Sequence, residues 1–339
     1  MKRSLLGLFV ATTVLTQESG WKQLTPMPDR EGFAGMYAGV SNDVLLAAGG
    51  ANFPDKKPWE GGTKAWYDTV WLLDAPQGKW RAVGKLPSAR GYGLSIPMDD
   101  GLLCIGGAEA SQHLSECVVL SWQNGALQTR AFPALPQACA NMTGARLGDT
   151  IYVAGGITTP TSTDAMSTFW ALDLKNLQAG WKSLPSWPGR PRMLAIGAAS
   201  AGSFFIAGGT DLHADEAGKP ARTYLKDGFR FTPNKGWQPI AELPQASVAP
   251  PTPSPSTASG FQVLGGDDGA NVNFEPKTQH PGFPHTLLAY DAATNAWTKQ
   301  ADLPFANVTN PTTTWRGHTL VISGEARPGV RSPAVWSAP

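Results

Sequence analysis

The sequence predicts an all-β fold, a six-bladed β-propeller, from three observations. The first is composition, since 38 glycines, 29 prolines and 13 tryptophans with only 16% charged residues are typical of short strands joined by tight turns. The second is a glycine pair that ends an apolar run about once every fifty residues. The third is a tryptophan followed within a few residues by Leu-Pro. A period near fifty is expected of kelch-type blades, each a four-stranded antiparallel sheet.

The glycine pairs define the blades. They begin at Gly49, Gly106, Gly155, Gly208 and Gly265. A sixth run ends in Gly324-Glu325. We interpret Glu325 as a charged side chain in a position that the other blades leave bare, because a charge there would be costly without a function.

Ring closure follows from how the chain begins and ends. The segment Trp21–Leu24 has the pattern of an outer strand, and the chain stops after a third strand. We therefore expect the N-terminal strand to complete the blade begun by residues 308–339, which leaves no free sheet edge and makes residues 20–339 a single propeller. The proline-rich segment 250–255 falls where an innermost strand is due, and a flexible linker is the alternative.

Residues 1–19 resemble a secretory signal peptide, with Lys2 and Arg3 preceding an apolar run. The expected location is the periplasm. No later run approaches the roughly 18 apolar residues that cross a bilayer, so no membrane association is expected after signal removal. The net charge of +1 gives no reason to expect a nucleic-acid partner.

Candidate binding residues come from strand direction. In an antiparallel blade, the start of the first strand and the end of the second lie on the same face. Several blades have arginines at the start of the first strand, and these side chains should gather with Glu325 at one mouth of the channel. They are Arg30, Arg90, Arg190 and Arg192. Four long loops, 51–66, 157–167, 210–223 and 267–285, should lie on that face, and the first contains Asn52.

Arginine clusters favour a carboxylate or phosphate ligand, because the guanidinium can donate two parallel hydrogen bonds. Glu325 lies close in sequence to Arg327 and Arg331. A carboxylate between a dry channel and nearby arginines suits proton transfer, although a structural Glu–Arg pair is the alternative. The sequence contains no P-loop or dinucleotide-binding glycine pattern, and its five histidines lack metal-ligand spacing, so no metal is expected.

Three segments resemble the bacterial sialic acid mutarotases, also called N-acetylneuraminate epimerases. They are Glu31–Ala51, Arg90–Gly107 and, most specifically, Gly324–Arg331. In the best-known members the segment that matches Gly324–Arg331 precedes the one that matches Glu31–Ala51. The order is reversed in this chain, which therefore resembles a cyclically permuted member, and a closed ring of blades can tolerate such a change.

The resemblance implies an isomerase that interconverts the α and β anomers of free N-acetylneuraminic acid through its open-chain form, without a cofactor. By the same resemblance, Glu325 is the proton-transfer residue and Arg331 is its partner, which could hold the sugar carboxylate. Further substrate-binding candidates are Arg30, Arg90, Arg190, Arg327 and Asn52. A non-catalytic kelch-repeat module that binds a carbohydrate or a protein partner remains the alternative, and the sequence does not predict the oligomeric state.

Overall fold

The computed structural model describes residues 20–339, and the predicted signal peptide at 1–19 lies outside the described residues. Six antiparallel sheets form the six blades of a propeller, as predicted. No helix within residues 20–339 is long and apolar enough to span a membrane.

Each blade has its innermost strand at the channel and its outermost strand at the rim of the propeller. In that order, blade 1 comprises Tyr37–Ser41, Val44–Ala48, Thr69–Leu73 and Arg81–Lys85; blade 2 comprises Leu94–Met98, Gly101–Ala108, His113–Gln123 and Ala126–Phe132; blade 3 comprises Thr143–Leu147, Thr150–Ala154, Phe169–Asp173 and Lys182–Ser183. Blade 4 comprises Ile196–Ser200, Ser203–Ala207, Gly228–Thr232 and Gly236–Ile240; blade 6 comprises Thr312–Trp315, His318–Ile322, Val335–Ala338 and Lys22–Gln23. Blade 5 has three strands, Gly260–Leu264, Leu287–Asp291 and Ala296–Lys299, which are its second, third and outermost positions.

Three small hairpins project from the loops on one face of the propeller. They pair Ala51–Asn52 with Ala65–Trp66, Thr210–Ala214 with Pro220–Tyr224, and Glu325–Arg327 with Val330–Arg331. The described residues also contain short 3₁₀ turns at Pro58–Glu60, Leu177–Ala179 and Lys277–Gln279.

The predicted closure of the ring is confirmed. In blade 6, Lys22 pairs with Ser337 and Gln23 pairs with Trp336, so the N-terminal strand is the outermost strand of the C-terminal sheet. The backbone N–H of Leu24 continues the ladder by donating to the Val335 carbonyl at 2.9 Å. This closure supplies blade 6 with the fourth strand that the C-terminal segment lacks.

The proline-rich segment takes the innermost position of blade 5 instead of acting as a linker. Its amides bond to the two neighbouring blades, since Ser254 N–H donates to Gly197 O at 2.9 Å and Thr252 N–H donates to Asn310 O at 3.1 Å. Its prolines have no N–H to satisfy, which suits a segment with few sheet partners.

The core consists of apolar layers between adjacent blades. In the second strand of blade 1, Leu45 and Ala47 pack in one cluster with residues of blade 6, whereas Leu46 and Ala48 pack in another with residues of blade 2. This alternation follows from the two-residue period of a strand, which sends successive side chains to opposite faces. Both faces of each sheet are therefore apolar.

The repeated tryptophans join neighbouring blades. The indole N–H of Trp80 donates to Thr25 O at 2.9 Å, and that of Trp297 donates to Ala241 O at 2.8 Å. Each acceptor belongs to the segment that links the preceding blade of the ring to the tryptophan's own blade. The ring packs against apolar neighbours while its single polar group is satisfied, which is the usual arrangement for a buried indole.

The predicted position of Glu325 in the repeat is wrong by one residue. The residue after each glycine pair forms a bridge with the approach to the first strand, and the six bridging residues are Ala51, Ala108, Ile157, Thr210, Asp267 and Glu325. The turn pair of blade 6 is therefore Ser323-Gly324, with φ angles of 56° and 111°. Glu325 replaces no glycine, and the residue that does is Ser323.

Ser323 tolerates the left-handed conformation because its hydroxyl both accepts and donates a hydrogen bond there. Its Oγ accepts the Phe33 N–H and donates to the Ser332 carbonyl, both at 2.7 Å. At the equivalent Gly49 a Cβ would lie 2.3 Å from the Arg90 carbonyl oxygen, so that blade requires glycine.

Six backbone amides form a closed ring around the channel, which we call the amide ring. Each donates to the carbonyl of the equivalent residue in the neighbouring blade, at 2.6–2.9 Å, and each has a positive φ. The six residues are Gly35, Tyr92, Asn141, Leu194, Ala249 and Thr309. The ring narrows the channel and fixes the six blades to one another near the axis.

Candidate functional site

A cavity of about 950 Å³ opens at the amide ring, and we call it the axial cavity. All six blades contribute to its lining, and the amide-ring residues Tyr92, Asn141, Leu194, Ala249 and Thr309 are part of it. Each of the four long loops predicted to share one face also supplies lining residues: Lys64, Pro160, Arg222 and His280 are examples. The prediction that these loops surround one site is confirmed.

Glu325 lies in this lining, on the hairpin that follows the turn pair of blade 6. The backbone bridge to Val308 fixes the start of the hairpin, with N–H to O distances of 2.8 and 2.9 Å. The side chain folds back over its own loop, because Oε1 accepts the Gly329 N–H at 2.7 Å. Among the described residues, none donates a hydrogen bond to Oε2. One carboxylate oxygen is thus held and the other is free to accept a proton.

Arg331 pairs with Glu325 across the same hairpin. Its Nη1 lies 2.8 Å from Glu325 Oε1, and its side chain is only 4% exposed. The guanidinium also lies 5.1 Å from the centroid of the Phe53 ring, and its Nε lies 3.4 Å from the Ala51 carbonyl oxygen. The hairpin of blade 6 is therefore packed against the first loop of blade 1, and the guanidinium is immobilised at the cavity wall.

An aromatic cluster borders the Glu325–Arg331 pair. Tyr92 Oη lies 3.5 Å from Arg331 Nη2, and the Tyr92 ring contacts Trp66 edge to face at 5.6 Å. The ammonium of Lys64 lies over this cluster, 5.0 Å from the Tyr92 centroid. Aromatic faces of this kind can also pack against the apolar face of a sugar ring.

A second acidic group lines the cavity in the neighbouring blade. Asp267 is the repeat equivalent of Glu325, and its Oδ2 accepts the Tyr224 hydroxyl at 2.7 Å. Burial, and then the bond to Asp267, raise the pKa of Tyr224 well above its usual value. The phenol therefore stays neutral at ordinary pH and Asp267 is already occupied, so Glu325 is the better placed proton acceptor.

His113 also lines the cavity, with Nδ1 3.1 Å from the Ile157 carbonyl oxygen. Burial lowers the pKa of His113, and this hydrogen bond opposes the shift only in part. The imidazole is therefore neutral near pH 7.

Two predicted contacts lie inside the protein and outside the cavity lining. Arg90 is buried, and its guanidinium donates a hydrogen bond to Ser88 Oγ at 2.7 Å and forms an ion pair with Glu116. Asn52 is also buried, donating to Gly32 O at 2.9 Å and accepting the Tyr67 hydroxyl at 2.8 Å. Both side chains hold loops in place and do not line the cavity, so the structure does not bring them together with Glu325 there.

Three further predicted arginines lie outside the cavity lining. The Arg30 side chain is 89% exposed and pairs with Glu31, and Arg190 pairs with Asp211 at 3.2 Å. Arg327 lies on the hairpin of Glu325 but donates to the Thr278 carbonyl at 3.1 Å. Of the residues predicted to bind or act on a ligand, the structure brings together only Glu325 and Arg331 in the axial cavity.

Lys64, Tyr92 and His113 line the cavity but are not among the residues predicted from the sequence. Tyr92 adopts a φ of 57°, which a tyrosine rarely does, and no sequence signal marks such a position. Lys64 follows Gly61-Gly62 in a long loop, and the pattern there indicates only a turn. The repeat itself could have indicated Asp267, since it follows its glycine pair directly.

The fold and the cavity define a kelch-type propeller with a carboxylate–guanidinium pair in an axial cavity. Residues 9–129 match the model of a family described as N-acetylneuraminate epimerase. The chain is 28% identical over 230 residues to the N-acetylneuraminate epimerase of Haemophilus influenzae strain PittEE, an alignment that covers 60% of this chain and 58% of the relative. The resemblance identified from the sequence motifs is thereby confirmed.

Two other relatives have the same name. The protein of Yersinia enterocolitica is 26% identical over 233 residues, which covers 60% of this chain and 56% of the relative. The protein of Yersinia pestis strain Pestoides F is 39% identical over 110 residues, which covers 29% of this chain and 27% of the relative. The chain thus matches less than two thirds of the length of these relatives, whose name designates an isomerase.

Proposed function

We propose that the protein is a mutarotase that interconverts the α and β anomers of free N-acetylneuraminic acid. The observation that carries the proposal is the Glu325–Arg331 pair in the axial cavity, with one carboxylate oxygen held by the loop and the other free. The relatives named N-acetylneuraminate epimerase support the choice of substrate.

Proton transfer by Glu325 is sufficient for the reaction. The free Oε2 accepts the proton of the anomeric hydroxyl as the bond between the anomeric carbon and the ring oxygen breaks. The ring oxygen then takes that proton from Glu325, which gives the open-chain ketone and restores the carboxylate. After rotation that presents the other carbonyl face, the same steps in reverse form the other anomer, with no net change in protonation.

Arg331 has two roles in this scheme. It forms an ion pair with Glu325 Oε1, which leaves the second oxygen towards the substrate, and it supplies positive charge where the ring oxygen becomes negative. Its guanidinium is fixed against Phe53 before substrate arrives, so little reorganisation accompanies the reaction. The aromatic cluster of Tyr92 and Trp66 completes the wall on that side.

The test is to follow freshly dissolved N-acetylneuraminic acid by proton NMR with and without the protein. We expect the rate of anomer exchange to exceed the buffer rate in proportion to protein concentration. Binding of the sugar acid without acceleration would instead support the non-catalytic binding module. The proposal includes export to the periplasm through residues 1–19, which a fusion of these residues to a reporter enzyme would test.

A further inference from the structure

Four cationic side chains line the axial cavity, and they differ in how they are paired. Arg331 pairs with Glu325 at 2.8 Å and Lys277 pairs with Glu275 at 3.1 Å. Within residues 20–339, Lys64 and Arg222 form no ion pair. An entering carboxylate would have to compete with a protein carboxylate for the first two cations, but not for Lys64 or Arg222.

Lys64 is held in place by aromatic rings. Its Nζ lies 5.0 Å from the centroid of Tyr92, 5.5 Å from that of Trp66 and 5.9 Å from that of Phe53. Cation–π contacts of this kind orient an ammonium without neutralising its charge. The hairpin of Ala51–Asn52 and Ala65–Trp66 fixes the loop that carries it. Lys64 thus presents a positioned charge with its hydrogen-bond donors available.

The same rings connect Lys64 to the acid–base pair. The Arg331 guanidinium lies 5.1 Å from the Phe53 centroid, and Tyr92 Oη lies 3.5 Å from Arg331 Nη2. Lys64 and Glu325 therefore border the same part of the cavity. Arg222 belongs to blade 4, on the side of Tyr224, across the ring from blade 1. A sugar whose anomeric carbon lies at Glu325 would have its carboxylate, which is on that same carbon, near Lys64.

We propose that Lys64 binds the substrate carboxylate and makes the site selective for acidic sugars, whereas Arg331 acts mainly on Glu325. This proposal rests on the function proposed above for the choice of sugar. It assigns anion recognition to an exposed lysine in place of the arginines predicted from the sequence. The buried guanidinium of Arg331 orients the proton acceptor, and the lysine selects the ligand.

The experiment measures binding of N-acetylneuraminic acid and of its methyl ester by isothermal titration calorimetry. Lys64→Met keeps the apolar stem and removes the charge, and we expect it to raise the Kd for the acid about tenfold while leaving the Kd for the ester unchanged. Lys64→Arg should retain preference for the acid. Lys56→Met is the matched control, since Lys56 is an exposed lysine of the same loop outside the cavity lining.

The proposal is overturned if Lys64→Met weakens binding of acid and ester equally, if it changes neither, or if the wild-type protein shows no preference for the acid. Anomer exchange is measured on the same samples. Acid-selective binding that depends on Lys64 without accelerated exchange would contradict only the proposed catalysis. Accelerated exchange with unchanged selectivity in Lys64→Met would contradict only the role of Lys64.

Discussion

Arg190 and Arg192 lie two residues apart but differ in burial and in hydrogen-bond partners. Arg192 is fully buried, and its guanidinium donates to Asp227 Oδ2 at 2.8 Å and to Gly208 O at 3.1 Å. Arg190 is 61% exposed and pairs with Asp211. Arg192 is the repeat equivalent of Arg90, which is likewise buried. Arginine at this position joins a blade to the loop beside it and lies outside the lining of the axial cavity.

We predict that Arg192→Met lowers the free energy of unfolding by about 3–5 kcal/mol, because it removes a buried donor from the Asp227 carboxylate and from three backbone carbonyls. The matched variant Arg190→Met should cost about 1 kcal/mol or less, as expected for an exposed pair. Urea denaturation measures both. Equal effects of the two substitutions would contradict the structural role given to Arg192.

His113 gives a prediction about pH. Burial lowers its pKa in the folded protein, so below the usual histidine pKa of about 6.5 the unfolded chain binds a proton that the folded protein does not. The contribution of neutral His113 to the free energy of unfolding is therefore present above that pH and is lost as pH falls below it. We expect the free energy of unfolding to fall less between pH 7 and pH 5 in His113→Gln than in the wild type. His318→Gln, at the exposed start of a strand, should follow the wild type, and a parallel fall in all three proteins would contradict this assignment.

The hairpin of Glu325–Arg327 and Val330–Arg331 is the element that positions the acid–base pair. Its turn depends on Gly329, which has a φ of 76° and donates its N–H to Glu325 Oε1. A Cβ there would lie 2.8 Å from the Trp59 ring and 2.9 Å from Pro58 Cδ. The 3₁₀ turn Pro58–Glu60 of blade 1 thus covers the hairpin of blade 6, and the glycine permits this close approach.

We predict that Gly329→Ala slows anomer exchange about 10- to 100-fold, because the displaced loop moves Glu325 away from the substrate. Gly317→Ala is the control, since Gly317 lies in blade 6 with a φ of 78° but its Cβ would meet no atom within 4 Å. Both variants introduce similar backbone strain, so similar activity losses would contradict the positioning role.

The sequence predicted this element in part. The proximity of Glu325 and Arg331 follows from their spacing in a short loop, and the pair lies in the cavity. The other arginines could not be placed because the distance from the preceding proline to the bridging residue ahead of the first strand varies. Pro28 precedes its bridging residue Ala34 by six residues, but Pro87 precedes Gly91 by four. A shift of one residue turns a strand side chain to the opposite face.

At the scale of the whole molecule, the glycine pairs and outer-strand tryptophans were sufficient to predict six blades and the closing strand. These features repeat because each blade must make the same turn and the same contact with its neighbour. The loops carry no such constraint. The positions of Lys64 and Tyr92 depend on contacts between blades 1, 2 and 6, which a single blade's pattern does not specify.

Ring closure can be tested with a cross-link between the paired residues Lys22 and Ser337. We expect the double variant Lys22→Cys, Ser337→Cys to be stabilised by about 2–4 kcal/mol when oxidised, because the bond ties the two ends of the ring together. The urea midpoint should return to the wild-type value after reduction. Failure of the cysteines to cross-link in the folded protein would contradict the pairing of these strands.

The most direct test of the account compares two cavity carboxylates by proton NMR of anomer exchange in freshly dissolved N-acetylneuraminic acid. Glu325→Gln retains the shape of the side chain but cannot accept the proton, whereas Glu109→Gln removes the same charge from another part of the lining. We expect the Glu325 variant to lose at least about 100-fold of the protein-dependent rate and the Glu109 variant to retain most of it. A Glu325→Gln protein that exchanges the anomers as fast as the wild type would contradict the account.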